Sequence, residues 1–158
     1  FFSPQESGGD ENVVAVTDVR LREAEYPSGP VNSPAHMLFY QSALVASLKE
    51  NSRLAERLVS IGRRDAFDRM AYLLLELAFR SRAQTIGGGV VFVCPLTQAD
   101  IGDALGLSTV HVNRVLKEMR SRRLLSLRNG RVELFNYDEF AKRVDYDPFY
   151  LQTLRDLP

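Results

Sequence analysis

The chain has 158 residues, of which 45% are hydrophobic, so it is long enough to form one or two domains with a buried core. Its 20 basic and 20 acidic side chains give a formal net charge of zero, and the overall balance therefore does not indicate a nucleic-acid or membrane-surface partner. A single cysteine, Cys94, excludes an intramolecular disulfide and a cysteine-built zinc or iron–sulfur site within this sequence, and we expect it to be a small packed residue.

The first part of the chain is predicted to contribute little regular structure. Residues 1–12 begin with Phe1 rather than methionine and are typical of a tail or of the end of a larger protein, which suggests a fragment or a processed product. Residues 13–25 alternate and are rich in β-branched side chains, which predicts one or two strands. Two strands do not form a stable sheet alone, and prolines then interrupt the chain between residues 27 and 34.

A long helix is predicted from about Ala35 to Ile61. Mostly apolar or small side chains recur along it in steps of four and three residues, which is the heptad spacing of a helix–helix seam. The seam consists of Met37, Gln41, Leu44, Leu48, Asn51, Ala55, Leu58 and Gly62. This spacing favours a parallel coiled coil between two copies of the chain over a core helix within one copy. The predicted dimer contacts are Leu44, Leu48, Asn51, Ala55 and Leu58.

A bend, a second helix and a short strand are predicted next. Residues 63–65 interrupt the helical pattern, which resumes near Ala66, ends near Arg82 and is expected to lie beneath the segment that follows. Residues 87–89 are three glycines that predict a turn, and residues 90–93 predict a strand. The glycines lack the lysine and hydroxyl of a P-loop, so this turn is not expected to bind phosphate.

Residues 97–106 are predicted to form a short helix that ends in a tight turn. Thr97 can cap the helix, and Asp100 can return to the backbone of the cap to complete a capping box. Gly102 is expected where two crossing helices approach most closely. Gly106 follows the helix and can adopt the left-handed conformation that ends it. The sequence therefore specifies the turn.

A second short helix is predicted from its cap, Ser108, to Arg120. Its buried face has apolar side chains at three- and four-residue spacing, namely Val112, Val115, Leu116 and Met119. Its outward face consists of Thr109, Val110, Asn113, Arg114 and Lys117. Between residues 108 and 131 a single acidic residue, Glu118, is outnumbered by Arg114, Lys117, Arg120, Arg122, Arg123, Arg128 and Arg131. Two helices, a glycine turn and a basic outward face predict a helix-turn-helix whose second helix enters a DNA major groove. On this helix we expect Lys117 to contact a phosphate, and the expected base contacts are Thr109, Val110, Asn113 and Arg114.

A β-hairpin is predicted directly after this helix. Residues 124–127 and 131–135 are apolar-rich runs, and the Asn-Gly pair between them is a strong hairpin signal. A hairpin in this place forms a wing. Its tip residues, Arg128 and Arg131, can reach the DNA backbone beside the occupied groove, and the hairpin can also cover the helix-turn-helix core. Beyond it, an acidic tail contains apolar residues that we expect to pack on the wing or on a neighbouring subunit: Phe140, Tyr146, Phe149, Tyr150 and Leu154.

The order of these elements resembles the Crp/Fnr family of bacterial transcription regulators. The matching segments are VVAVTDVRL at 13–21, LVSIGRRDAFDRMAYLLLELA at 58–78 and LTQADIGDALGLSTVHVNRVLKEMRSRRLL at 96–125. The resemblance implies a mainly α fold with a small β part. Residues 1–33 would be the end of a β-roll sensor domain with remnant strands and a linker, 34–62 a dimerisation helix, and 63–158 a winged helix-turn-helix domain with a helical tail.

The resemblance also implies a homodimer that binds a near-palindromic operator in double-stranded DNA. Arg114 occupies the place of the family's base-contacting arginine and suits a bidentate contact to guanine. The family's phosphate-binding positions fall on Thr97, Gln98 and Ser108. Well-known members carry an arginine and a glutamate where this chain has Thr109 and Val110, so the operator should differ, although Val110 could contact a thymine methyl group. His111 either faces the groove or packs beside the turn.

No cofactor is expected in this chain. Members of the family that bind cyclic AMP place adjacent hydroxyl residues where this chain has Leu54 and Ala55, and the phosphate-binding segment of the β-roll lies outside this sequence. Cyclic AMP binding by these residues is therefore not expected. No metal site is expected either. A signal could still be received by the N-terminal part of a longer protein.

Two other classes of function are weighed against DNA binding. The winged helix could be a protein-interaction or dimerisation module without DNA binding, but the basic outward face argues against this alternative. An enzyme is not expected, because the sequence has only His36 and His111 as histidines and contains no nucleophile or metal motif. RNA polymerase is a further candidate partner. A membrane is not, since no apolar run is long enough to cross a bilayer and no signal-peptide pattern opens the chain, so a cytoplasmic location is expected.

Overall fold

The computed structural model describes residues 14–20 and 27–151. The chain divides into two compact units, residues 1–53 and residues 54–158, which are described separately below. Within the described residues, none of the helices has the length and apolar character needed to span a bilayer.

In the first unit, the predicted strands are not observed where the chain is described. Residues 14–20 form no strand and are exposed, whereas residue 13 and residues 21–25 lie outside the described residues. A strand needs a neighbour to bind its backbone N–H and C=O groups. In the described part of the chain, the strands that do form pair only with one another, at residues 84–134. The prediction of strand structure is therefore wrong for residues 14–20.

The predicted long helix is confirmed as α1, Pro34–Arg63. Proline suits the first turn of a helix because its missing N–H would have no partner there. Side chains of the heptad seam lie open to solvent, with Leu44 60% exposed and Leu48 55% exposed in the first unit. In the second unit, Leu58 is 72% exposed.

The bend and the second helix are also confirmed. Asp65 caps α2, Ala66–Arg80, by accepting a hydrogen bond from the Asp68 backbone N–H at 2.8 Å. The helix ends two residues before the predicted Arg82, which itself adopts a positive φ of 51°. Nearly every side chain from Met70 to Ala78 is buried, so α2 is the central helix of the second unit.

A buried carboxylate on α2 holds the last turns of α1 in the second unit. Glu76 is only 4% exposed, and its carboxylate lies 3.5 Å from the Arg57 guanidinium of α1 and 3.3 Å from that of Arg80. The Tyr150 hydroxyl donates to it at 3.3 Å. A buried carboxylate needs such partners because its desolvation is otherwise costly. No local sequence pattern predicts this cluster, because its residues come from three separate segments of the chain.

An antiparallel sheet of four strands has the order β1-β2-β4-β3. The strands are β1 (Gln84–Ile86), β2 (Gly89–Val93), β3 (Leu125–Arg128) and β4 (Arg131–Leu134). The predicted strand at 90–93 and the predicted hairpin at 124–135 are therefore confirmed, and β2 pairs with β4 to join them. The first strand was not predicted, because its three residues are all exposed and carry no apolar alternation.

Cys94 follows β2 and is a packed residue, as expected. It is 5% exposed, and its N–H donates to the carbonyl oxygen of Gly130 at 2.8 Å. Burial raises the pKa of its thiol above the ordinary value. The thiol is therefore held in its neutral form, and the backbone N–H of the residue ties the end of β2 to the tip of the wing.

The remaining helices are α3 (Gln98–Leu105), α4 (Thr109–Ser121), α5 (Tyr137–Arg143) and a 3-10 helix at Pro148–Leu151. They share one hydrophobic core with α2 and the sheet. The tail packs mainly on α2 of its own unit, a contact that was not expected, with Phe140, Tyr146 and Leu151 buried. Phe149 is 63% exposed, and Leu154 lies outside the described residues.

Candidate nucleic-acid interface

The first helix of the motif, α3, begins with the predicted capping box. The Asp100 backbone N–H donates to the Thr97 hydroxyl oxygen at 3.1 Å, and the Thr97 backbone N–H donates to the Asp100 carboxylate at 2.7 Å. The bonds that the Thr97 backbone N–H and hydroxyl donate to the carboxylate favour its charged form and hold the pKa of Asp100 below its ordinary value. Two of the helix's unpaired N–H groups are thereby satisfied, which fixes the start of α3.

The turn between the two helices depends on glycine at two positions. Gly106 adopts the left-handed conformation, with φ 64° and ψ 40°, as predicted. A Cβ atom at Gly102 would lie 2.6 Å from the carbonyl oxygen of Leu107 but 3.7 Å from the Val112 side chain. The close approach at Gly102 is therefore to the backbone of the turn rather than, as expected, to the second helix.

The second helix of the motif, α4, presents the two predicted faces. The Ser108 hydroxyl oxygen accepts a hydrogen bond from the His111 backbone N–H at 3.3 Å and caps the helix. Its apolar face is buried at Val112, Val115, Leu116 and Met119. Its opposite face is exposed at Thr109, Val110, Asn113, Arg114 and Lys117.

An open groove runs along the exposed face of α4, and we call it the α4 groove. It is lined by Gln98, Thr109, Val110, Asn113, Arg114 and Lys117. The groove thus brings together the four residues predicted to contact bases and two of those predicted to contact phosphates. Val110, which is 79% exposed, presents an apolar surface between polar and cationic groups. Among the residues that the structure describes, no acidic side chain lines the groove.

Arg114 has a specific partner on its own helix. Its Nη2 atom lies 2.8 Å from Nε2 of His111, one turn earlier. Within the described residues, the ion pairs do not include Arg114, so the alternative that it is neutralised by a nearby acid has no support. His111 is half-buried, and its ring contacts Arg114 one turn later on the same helix.

The wing ends in a tight two-residue turn. Arg128 and Arg131 are paired across it, and Asn129 and Gly130 have positive φ angles of 51° and 70°, as required by the turn that matches strand twist. All four residues are exposed. The cationic side chains of Arg128 and Arg131 therefore project from the tip, free of any carboxylate in the described part of the chain.

A second open groove lies between α4 and the wing. It is lined by Arg120, Arg123, Leu125, Ser126, Leu127, Arg128 and Phe135. Arg120 and Arg123 were counted in the basic run but not placed in a site, because their proximity to Arg128 depends on the turn after α4, where Arg123 has a φ of 56°. Arg122 behaves differently: it pairs with Glu118 at 2.6 Å and lies over the Phe67 ring at 5.1 Å.

Comparison with known proteins places the motif in a family. Residues 68–143 match the model of the Crp-like helix-turn-helix domain. The chain is 35% identical over 88 residues to the nitrogen fixation regulation protein FixK of Rhizobium meliloti, covering 56% of this chain and 39% of the relative. It is 30% identical over 99 residues to the FixK protein of Azorhizobium caulinodans, covering 63% and 40%. The chain thus spans about two fifths of the length of these curated relatives.

Solved structures share the fold. FixK2 from Bradyrhizobium japonicum superposes with a TM-score of 0.57 at 23% identity, covering 67% of this chain and 52% of that one. A Crp/Fnr-family transcriptional regulator from Thermus thermophilus superposes with a TM-score of 0.56 at 24% identity, covering 76% and 58%. The helix-turn-helix with its wing and the match at 68–143 lead to one assignment: this part of the chain is a Crp-like helix-turn-helix domain.

Proposed function

We propose that this chain is the DNA-binding part of a transcription regulator that acts as a homodimer on a near-palindromic operator. The α4 groove is the observation that carries this proposal. It gathers hydrogen-bonding, apolar and cationic side chains on an exposed helix face, and within the described part of the chain no carboxylate lines it. Such a face suits a major groove, where base edges offer donors, acceptors and thymine methyl groups, and where phosphates flank the helix.

Base readout is assigned to the exposed face of α4. Arg114 can donate two parallel hydrogen bonds to O6 and N7 of guanine, and Asn113 can pair with N6 and N7 of adenine. Val110 can contact a thymine methyl group, and Thr109 can offer a hydroxyl or a methyl group. Because Thr109 and Val110 differ from the charged residues of well-known relatives, we propose that the operator differs at the base pairs that these two residues face.

Phosphate contacts are assigned to Thr97, Gln98, Ser108, Lys117, Arg128 and Arg131. The two caps differ in what they can still donate. The Ser108 hydroxyl oxygen accepts a bond from the His111 N–H, which leaves its hydrogen available to a phosphate. The Thr97 hydroxyl is directed to the Asp100 carboxylate at 2.8 Å, so a phosphate would have to compete with that bond. Ser108 is therefore the stronger of the two candidates.

Dimerisation is assigned to α1, through Leu44, Leu48, Asn51, Ala55 and Leu58. The exposure of its leucines in a single chain supports this assignment, because a heptad seam needs a partner to bury it. We propose residues 34–62 as the dimerisation helix and 63–158 as the DNA-binding domain. A regulator of this kind would act in the cytoplasm without catalytic activity of its own, and RNA polymerase is a further partner that we propose from the family alone.

A selection from random double-stranded DNA tests the proposed function. We expect the purified chain to enrich a motif with two-fold symmetry, and we expect affinity for it to fall steeply between about 50 and 200 mM salt. Arg114→Ala should weaken the binding free energy by roughly 1–3 kcal/mol and reduce the sequence preference at one base pair in each half-site. Failure of the parent to enrich any two-fold motif would instead favour a protein-interaction module.

A matched pair of variants separates phosphate contacts from bulk charge. Lys117→Gln removes a cation from the α4 groove, so it should weaken binding to all sequences and reduce the salt slope by about 1 per contact. Arg122→Gln removes the same charge from a side chain already paired with Glu118, and its effect on the slope should be smaller. Equal slopes for the two variants would contradict the assignment of Lys117.

A further inference from the structure

We infer that His111 is a positioning residue that holds the Arg114 guanidinium for base recognition, and thereby contributes to the sequence specificity of α4. This inference rests on the proposed function. Its observation is the 2.8 Å approach between Nε2 of His111 and Nη2 of Arg114. Neither the sequence pattern nor the match to the family assigns a role to the histidine.

The chemistry of the pair determines which atom donates. A guanidinium has only donors, so the Nε2 atom of His111 must accept. The ring is therefore neutral in this arrangement and carries its proton on Nδ1. Arg114 has five N–H donors and uses one of them here, which leaves enough for a bidentate contact to a guanine. The histidine thus restrains the arginine and leaves it enough N–H donors to contact a base.

The surroundings of the pair make this restraint useful. Arg114 is exposed and lines the α4 groove with Asn113 and Lys117, and no acid of residues 14–20 or 27–151 lines the groove to hold it. A long side chain on such a surface loses rotamer freedom when it binds a base. His111 is itself fixed, because it is half-buried and its backbone N–H is bound by the Ser108 cap. The Arg114 side chain is therefore already restrained in the free protein, and it loses less conformational entropy when it binds DNA.

Three proteins are compared to test this role: the parent, His111→Leu and His111→Gln. Leucine removes the acceptor while keeping an apolar side chain of moderate size, whereas glutamine restores an acceptor oxygen at similar reach. Each is titrated with the operator selected by the parent, with that operator changed at the base pair that Arg114→Ala relaxes, and with random duplex DNA. Circular dichroism checks that α4 is retained in both variants.

We expect His111→Leu to reduce discrimination at that one base pair by roughly 3- to 10-fold per half-site, as for one lost hydrogen bond. Binding to random DNA should not change, and His111→Gln should recover most of the discrimination. Full discrimination in His111→Leu would overturn the inference. So would a uniform loss of affinity for all sequences, which would make His111 a phosphate contact, or a glutamine variant as defective as the leucine one.

A measurement without DNA separates this inference from the proposed function. Long-range ¹H–¹⁵N spectra of the free protein report which ring nitrogen carries the proton. In the neutral form of the His111 ring we expect the proton on Nδ1, and we expect the ring signals to change in Arg114→Ala. A parent that binds no DNA would defeat the proposed function, whereas a His111 ring protonated at Nε2 would defeat the positioning role.

Discussion

The guanidinium of Arg69 donates to the carbonyl oxygen of Leu105 at 3.3 Å and so binds the end of α3 to the central helix α2. The same group donates to the carbonyl oxygen of Ile61 at 2.7 Å and, through Nε, to that of Arg64 at 2.9 Å. Carbonyls at the end of a helix have no partner within it. A single side chain therefore satisfies helix-end carbonyls of both α1 and α3, and links the last turn of the proposed dimerisation helix to the helix-turn-helix.

Replacement of Arg69 should weaken this link. We expect Arg69→Met to lower the free energy of unfolding by about 1–3 kcal/mol, because the charge-assisted bonds are lost while the aliphatic stem is kept. Arg69→Lys should recover only part of the loss, since an ammonium group cannot reach three carbonyls as a planar fork does. The check is the urea midpoint at one protein concentration, and an unchanged midpoint for the methionine variant would contradict the role of the link.

Gly102 should be intolerant of even the smallest side chain. A Cβ atom there would lie 2.6 Å from the Leu107 carbonyl oxygen, which is backbone and cannot rotate away. We expect Gly102→Ala to destabilise the chain by about 1–3 kcal/mol through this overpacking. Gly62→Ala is the control, because within one chain a Cβ atom at that helical position meets nothing within 4 Å; since Gly62 belongs to the proposed seam, all proteins are compared at one concentration. In thermal unfolding, we expect the Tm of Gly102→Ala to lie below that of the parent. The Tm of Gly62→Ala should equal or exceed that of the parent.

The motif was predictable because local chemistry specifies it. The capping box of Thr97 and Asp100, the left-handed Gly106 and the Asn129–Gly130 turn each depend on a few neighbouring residues whose side chains or backbone freedom select one conformation. The structure has all of them where the sequence places them. The buried face of α4 was predictable from the three- and four-residue spacing of its apolar side chains, and these side chains do face the core.

The remaining features depend on contacts that sequence spacing does not encode. Strand β1 is exposed at every residue, so it exists through its pairing with β2 rather than through its own pattern. Residues 14–20 show the converse, because a strand-like pattern without a partner forms no strand in the described part of the chain. The bonds from Arg69 and the orientation of His111 toward Arg114 are side-chain geometries that become visible only once the helices are placed.

The capping box should make stability depend on acid pH. Hydrogen bonds from the Thr97 N–H and hydroxyl depress the pKa of Asp100 in the folded state. A carboxylate with a lower pKa when folded contributes stability above its unfolded pKa, and this contribution is lost as pH falls through the folded value. Asp100→Asn should therefore be less stable than the parent at neutral pH, and the difference should shrink below about pH 4.

Urea midpoints of parent and Asp100→Asn at a series of pH values measure this convergence. Asp103→Asn is the control, since it removes a carboxylate from an exposed position of the same helix outside the capping box. A difference between parent and Asp100→Asn that stays constant down to the lowest pH would show that the carboxylate charge is not what stabilises the cap.

The heptad seam of α1 predicts how the chain associates. Leu48 is 55% exposed in the single chain, and in a parallel coiled coil it would face its own copy across the seam. Leu48→Glu would place two carboxylates there in place of two buried leucines, which should cost about 3–6 kcal/mol of association per dimer. We therefore expect the parent to sediment as a dimer and Leu48→Glu as a monomer at the same concentration.

Ser42→Glu adds the same charge at an exposed position of α1 outside the seam and should remain dimeric. If both variants dissociate alike, net charge rather than the seam governs association. If the parent is monomeric at every concentration, α1 is not a dimerisation helix, and a single helix-turn-helix would have to account for any two-fold operator.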